Sequence, residues 1–162
     1  MTDSATGAAT TSTHTLTAQP EPAGIGGWLI LVAIGQILGP LRTLLETVIY
    51  YTDKDVRIAF EKFPIATYGE SLINLAYLAV VLFTTYAFFA HKRIFKLMFT
   101  VEILCLIFVP PLDVFWMSAA TGLPVSALAD PALGKSIGAG IIGLIWVAYV
   151  WRSKRVRNTF VV

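Results

Sequence analysis

Long apolar runs separated by short polar segments dominate the chain from residue 24 onward. A bilayer core about 30 Å thick needs about 20 helical residues at about 1.5 Å each. Four runs reach that length and predict four membrane-spanning helices, over residues 27–50, 71–90, 94–117 and 131–151. The predicted fold class is therefore all-α, an integral membrane four-helix bundle.

Prolines in the third and fourth runs affect the predicted helices. Asp130 and Pro131 supply an N-cap and a first-turn proline for the fourth span. Pro110 and Pro111 lie inside the third span and remove two backbone donors, so we expect a kink or a break there. Membrane helices tolerate such a defect where neighbouring groups or water satisfy the freed carbonyls.

The first loop between spans carries a second helical pattern. The segment DKDVRIAFEKF, residues 53–63, places apolar side chains at rough helical spacing, and Pro64 follows as a stop. Thr52 with Asp55 resembles a capping box. A short amphipathic helix on the outer membrane surface fits this pattern, and an extended loop with incidental phenylalanines is the alternative.

The two ends of the chain differ from the spans. Residues 1–24 are rich in Thr, Ala and Ser, and lack both the positive start and the apolar core of a secretory signal. We interpret them as a disordered cytoplasmic tail, because they hold too little apolar surface to offset the entropy of ordering. Residues 25–152 then form the membrane domain, and residues 153–162 a basic cytoplasmic C-terminal tail.

Composition excludes several classes of protein. The chain is 56% hydrophobic and 14% charged, whereas soluble domains are about 25% charged. The polar remainder is too short to shield four buried helices in water. The basic residues form no single large face, so no nucleic-acid partner is expected. The single cysteine, Cys105, lies in an apolar run and allows no intrachain disulfide.

Charge bias in the short loops predicts the orientation. Lys92, Arg93 and Lys96 flank the loop between spans two and three, and four more basic residues follow span four: Arg152, Lys154, Arg155 and Arg157. On the opposite side, the basic residues Lys54, Arg57, Lys62 and Lys135 are diluted by five acids. We therefore predict a multi-pass protein of the bacterial inner membrane with both termini in the cytoplasm.

Ionisable residues inside spans are costly and are functional candidates by default. In the outer half of the predicted bundle lie Arg42, Glu46, Glu70, Asn74 and Asp113. One interpretation is an outward-facing polar pocket. The other is a structural ion pair of Arg42 with Asp113 or Glu46, and a long arginine can also reach the interface without any partner. Glu102, nearer the inner end of span three, is a separate candidate carboxylate for proton relay.

Small residues recur at four-residue spacing in two spans, which is typical of close helix packing in lipid. The candidate packing glycines are Gly35, Gly39, Gly134, Gly138, Gly140 and Gly143. The spacing predicts tight contacts but does not identify the partner helix. A homo-oligomer and another membrane protein are both candidate partners besides the lipid bilayer.

Two segments resemble a known family. GIGGWLILVAIGQILGPLR, residues 24–42, opens the first span, and SKRVRNTFV, residues 153–161, follows a Trp- and Tyr-rich helix end. With four spans and this length, the chain is similar to the bacterial inner-membrane proteins of domain-of-unknown-function family 2569. The resemblance implies a four-helix membrane protein and brings no activity, ligand or catalytic residue.

Signatures of an enzyme are missing from the sequence. The histidines His14 and His91 cannot form a metal cluster with one cysteine, and no serine has a histidine at its depth. We expect no catalysis, no cofactor and no metal site. The favoured function is a structural or interaction subunit of the membrane. The alternative is a small-solute or ion carrier that uses the outward polar cluster between spans one, two and three.

Overall fold

The computed structural model describes residues 23–128 and 131–161, and within them the chain forms helices and no strands. The helices are α1 (Leu29–Thr52), α2 (Lys54–Lys62), α3 (Pro64–Phe89), α4 (Phe95–Thr121), α5 (Val125–Leu128), α6 (Pro131–Arg152) and α7 (Lys154–Thr159). Among the described residues four helices are long and apolar enough to cross a bilayer: α1, α3, α4 and α6. The all-α, four-span prediction is confirmed.

Two helix boundaries differ from the predicted ones, one at a proline and one at a glycine. Helix α3 begins at Pro64, well before the predicted start at residue 71, because the fixed φ of proline suits a first helical position. Helix α4 continues through Pro110 and Pro111 and ends at Gly122, whose φ of 73° is left-handed. The predicted Asp130 cap and residues 1–22 of the predicted tail lie outside the described residues.

The loop between the first two spans contains the short helix α2, as one of the two interpretations predicted. Its cap is Asp53, whose carboxylate accepts a hydrogen bond from the backbone N–H of Asp55 at 2.8 Å. The Thr52 hydroxyl instead donates to the carbonyls of Val48 and Ile49 in α1. The predicted capping box between Thr52 and Asp55 is therefore wrong, and the chain turns one residue later.

The spanning helices pack in a row. Helix α1 lies against α3, α3 against α4, and α4 against α6, while α2 folds back onto the start of α3. At the end of the bundle away from α2, a buried aromatic core gathers Phe88, Phe95, Phe99 and Phe160. The ring of Phe160 stacks on Phe95 with centroids 4.5 Å apart. The segment after the last span thus folds back and helps to build the core.

Both described chain ends meet at this aromatic core. The backbone N–H of Gly24 donates to the Thr159 hydroxyl at 2.8 Å, and the Arg93 guanidinium donates to the carbonyl of Val161 at 2.7 Å. The guanidinium of Arg155 lies directly over Gly26, where any larger residue would collide with it. We call this end of the bundle the terminal end, and the opposite one the α2 end.

Candidate functional site

The charged pair on α1 lies at the surface. The Arg42 Nε donates to Glu46 Oε1 at 2.7 Å, and the two side chains are 77% and 58% exposed. Of the partners considered for Arg42, the structure therefore gives Glu46, one helical turn away. Asp113 is not paired with it, and the two residues hold no helices together.

Two carboxylates on neighbouring helices lie toward the α2 end. Asp113 on α4 is within electrostatic range of Glu70 on α3, and its Oδ1 atom is buried without a hydrogen-bond partner. Among the described residues the ion pair observed is Arg42 with Glu46. No basic side chain of that part of the chain therefore neutralises either Glu70 or Asp113.

Two hydroxyl groups complete this site. The Tyr50 hydroxyl, from α1, lies near the Glu70 carboxylate and the Ser71 hydroxyl. The side-chain oxygens of Tyr50 and Ser71 are both buried, and neither makes a hydrogen bond of good geometry. Ser71 is only 6% exposed. We call Tyr50, Glu70, Ser71 and Asp113 the oxygen cluster, since three helices bring four oxygen-bearing side chains together.

Trp116 of α4 packs against α3, so it joins the two helices that carry Asp113 and Glu70. The Trp116 Nε1 donates to the backbone carbonyl of Ala66 at 2.9 Å. Its indole lies on Gly69, where a Cβ atom would collide with the ring. Trp116 follows Asp113 by three residues on α4, and Gly69 immediately precedes Glu70 on α3. This contact therefore fixes the register that places the carboxylates together.

A cavity of about 210 Å³ lies beside the oxygen cluster, between α1 and α3. Tyr50 lines it together with Glu46, Asn74 and Tyr77. The five polar residues grouped from the sequence are thus divided among three places. Arg42 and Glu46 form the exposed pair on α1, where Glu46 also borders the cavity; Asn74 lies in the cavity, and the other two belong to the oxygen cluster.

The separate carboxylate, Glu102, is held by a buried amide. Gln36 on α1, 2% exposed, donates from Nε2 to Glu102 Oε2 at 3.0 Å. The Thr85 hydroxyl on α3 lies 3.2 Å from Gln36 Oε1 and 3.3 Å from the Gln36 carbonyl. That carbonyl lacks its helical partner because residue 40, four positions on, is proline. The same hydroxyl lies 3.0 Å from the Val81 carbonyl of its own helix, so its single proton can serve any one of three acceptors, the freed carbonyl among them.

A second cavity, of about 190 Å³, opens between α1 and α6. Its lining includes Gly35 and Gln36 of α1, Glu102 of α4 and Trp146 of α6. At the terminal end the rings of Trp28 and Trp146 approach to 6.5 Å and narrow the space between the two helices. We call this space the α1–α6 cleft. It connects the surface of the bundle with the Glu102 carboxylate.

The six candidate packing glycines fall into two groups. On α6, Gly140 lies against Ile107 and Gly143 against Ile103, both on α4. Around the other four, a Cβ atom would meet nothing within 4 Å: Gly35, Gly39, Gly134 and Gly138. Within one chain, then, close packing occurs at only the first group, and the expected contacts of the second group are not made.

Tyr50, Ser71 and Gln36 are site residues that the sequence did not single out. Tyr50 is the last residue of the first predicted span. The signal that identifies it is helical spacing, since Gln36, Thr43, Thr47 and Tyr50 follow one another on a single polar stripe of an otherwise apolar helix. The described part of the chain contains no group of three His, Cys, Asp or Glu side chains suited to a metal ion.

Comparison with known proteins identifies a family and no closer relative. A family model described as a protein of unknown function, DUF2569, matches residues 22–161. No curated protein and no solved structure matches the chain at a significant level.

Proposed function

Because the chain belongs to the DUF2569 family, whose function is unknown, we propose a role from its own bundle. We propose that this multi-pass membrane protein is an interaction subunit that associates through the glycine face of α1. The observation that carries the proposal is the open space in front of Gly35 and Gly39. We place the protein in a bacterial inner membrane with its terminal end in the cytoplasm, and we propose no catalytic activity.

The glycine face is suited to helix association. Helix α1 turns Val32, Gln36 and Pro40 into the bundle, and Gly35 and Gly39 lie beside that buried stripe. Between membrane helices, association depends on close packing rather than on a hydrophobic drive, and glycine allows the closest approach of two backbones. A pair of glycines one turn apart, left open at the surface, supports contact with another helix.

The α1–α6 cleft gives a second reason for a partner. Through it the Glu102 carboxylate is reachable from the lipid-facing surface beside Gly35. A carboxylate that faces hydrocarbon is costly. A helix seated on the glycine face would cover the cleft and shield Glu102 from lipid.

The occupant that we propose is a second copy of this chain, related by a twofold axis. The GxxxG face of α1 is self-complementary, as a twofold interface requires, because each copy offers the same two glycines. Another membrane protein at the same face is the alternative outcome of the experiment.

Crosslinking tests the interface. In a background with Cys105→Ser, Leu31→Cys places a thiol one turn before Gly35, and Ile37→Cys places one on the far side of α1. Both positions are exposed, at 46% and 54%. We expect oxidation in native membranes to crosslink the first variant into dimers and to leave the second monomeric. Crosslinking of Leu31→Cys to a different protein would replace the second copy by that partner, and no crosslink would contradict the proposal.

A substitution series complements the crosslinks. Gly35→Leu and Gly39→Leu should convert dimer to monomer in mild detergent, measured by light scattering. Ala79→Leu adds the same bulk at an exposed position of α3 and serves as the control.

A carrier of an ion or a small solute is the second candidate function. The oxygen cluster favours it, because paired carboxylates without a basic partner are typical of ion pathways in membrane proteins. Solute-dependent growth of a deletion strain would support the carrier, and constant recovery of one membrane partner would support the subunit.

A further inference from the structure

The oxygen cluster carries negative charge that the described residues do not balance. Glu70 and Asp113 lie together inside the membrane-spanning part, and Arg42 is engaged with Glu46 on the outer face of α1. Two like charges held close together, each only partly exposed to solvent, are unfavourable without compensation. Either a proton shared between the carboxylates or a bound cation removes that cost.

The hydroxyl groups of Tyr50 and Ser71 favour a bound cation over a shared proton. A shared proton would join one oxygen of Glu70 to one of Asp113, and would not engage the buried oxygens of Tyr50 and Ser71, which make no hydrogen bond of good geometry. Buried polar atoms are rarely left unpaired. A hydroxyl oxygen carries lone pairs that can bind a cation. A metal ion between the three helices would occupy all four side chains at once.

We propose that the oxygen cluster is a binding site for a hard metal cation, with ligands from Tyr50, Glu70, Ser71 and Asp113. Carboxylate and hydroxyl oxygens suit sodium, calcium and magnesium rather than zinc or copper. Water completes the coordination, because these ions take six or more oxygens and the chain supplies four side chains.

Entry to the site is from the cavity between α1 and α3. Tyr50 belongs both to the cavity lining and to the cluster, so the cavity leads to one of the four proposed ligands. Asn74 lines the cavity and offers its side-chain oxygen to an approaching cation, and so does Glu46 through the carboxylate oxygen that Arg42 does not bind.

The rigid side of the site is the contact between α3 and α4. The Trp116 hydrogen bond to Ala66, with the indole on Gly69, sets both carboxylates in place before a cation arrives. Helix α1 adds only Tyr50. The cation would therefore attach α1 to an α3–α4 pair that is already formed.

Cation binding does not depend on association through α1. Gly35 and Gly39 lie about three to four turns from Tyr50 on that helix. Loss of the dimer therefore leaves the site intact, and loss of cation binding leaves the glycine face intact. An experiment can therefore contradict either proposal without contradicting the other.

The experiment uses the full-length protein, purified in neutral detergent and stripped of metals. Thermal unfolding is followed in chloride salts of sodium, calcium and magnesium, with choline chloride at equal ionic strength as the control. Equilibrium dialysis with radioactive calcium or sodium gives the affinity and the stoichiometry. We expect at least one cation to raise the Tm by several degrees and to bind one per chain, because a ligand that binds only the folded state stabilises it.

The variants keep the shape and remove the ligand. Asp113→Asn, Glu70→Gln and Tyr50→Phe should each weaken binding by about tenfold or more, which corresponds to about 1.4 kcal/mol. Glu61→Gln, on the exposed α2, is the matched control and should bind as the wild type does. In choline chloride, Asp113→Asn should have a higher Tm than the wild type, because one of two like charges is gone. In a saturating concentration of the bound cation, the wild type should have the higher Tm. This reversal would not occur if Asp113 were merely structural.

Three results would overturn the proposal. The first is a Tm that responds to sodium, calcium and magnesium no more than to choline. The second is unaltered cation affinity in Asp113→Asn and Tyr50→Phe. The third is a response to pH alone, which would indicate a shared proton. If Asp113→Asn does not fold, Tyr50→Phe decides, since it removes one oxygen and no charge.

Discussion

The side chain of Gln36 donates a hydrogen bond to Glu102 across the interface of α1 and α4, with Nε2 and Oε2 3.0 Å apart. Gln36 is almost fully buried, and both its side-chain oxygen and its backbone carbonyl lie beside the Thr85 hydroxyl. This contact joins α1 to α4, although α1 packs mainly on α3.

Removal of either partner of this bond should destabilise the bundle. Gln36→Leu leaves the Glu102 carboxylate without its donor, at a cost of about 1–3 kcal/mol. The double variant Gln36→Leu with Glu102→Leu should be more stable than the sum of the single losses predicts. Unfolding in detergent by a denaturant titration measures all four proteins. Strict additivity would mean that the bond makes no contribution.

Arg42→Met should leave stability almost unchanged. The Arg42–Glu46 pair is exposed on one helix, and such pairs contribute less than about 1 kcal/mol. Gly69→Leu is the contrasting variant, because a side chain there would displace the Trp116 indole. A large loss of thermal stability in Arg42→Met would mean that the arginine binds a group other than Glu46.

Glycines on α6 should respond differently to leucine according to what they face. Gly143→Leu forces a side chain into Ile103 of α4 and should cost at least about 1–3 kcal/mol. Gly138→Leu, on the same helix, points into open space and should be nearly neutral in the folded yield of the monomer. Fluorescence-detected size exclusion after heating compares the two. Equal yields would contradict the helix contact described between α4 and α6.

Thiol labelling should place the terminal end in the cytoplasm. In a Cys105→Ser background, a cysteine at Ala18 or after Arg157 should be protected from an impermeant reagent added to the periplasm. A cysteine at Phe60, on α2, should be labelled. The reason is the concentration of basic residues beside the ends of α3, α4 and α6 at the terminal end. Labelling at Ala18 and protection at Phe60 would invert the orientation.

The spans could be predicted from the sequence because their length is set by the bilayer rather than by neighbouring residues. The start of α3 was placed too late because Tyr68 and Glu70 interrupt the apolar run, although Pro64 marks the true first turn. Helix α2 was recognisable from its own spacing, but its cap was not, since Thr52 and Asp53 are both good caps.

The partners of the polar side chains could not be read from the sequence. Depth along a helix places Arg42 and Asp113 at one level but does not say which way each side chain points. The structure turns Arg42 to the outer face and Asp113 toward Glu70. The return of Phe160 onto Phe95 has no periodic signal at all, because it depends on a six-residue helix beyond the last span.

The hydrogen bond between Gly24 and Thr159 makes the described chain almost a closed ring. A pulling force applied between the two ends would load this clasp first, together with the Arg93 contact to Val161. Val156 and Phe160 of the returning segment are buried in the aromatic core, so that core would resist further separation of the ends once the two hydrogen bonds break.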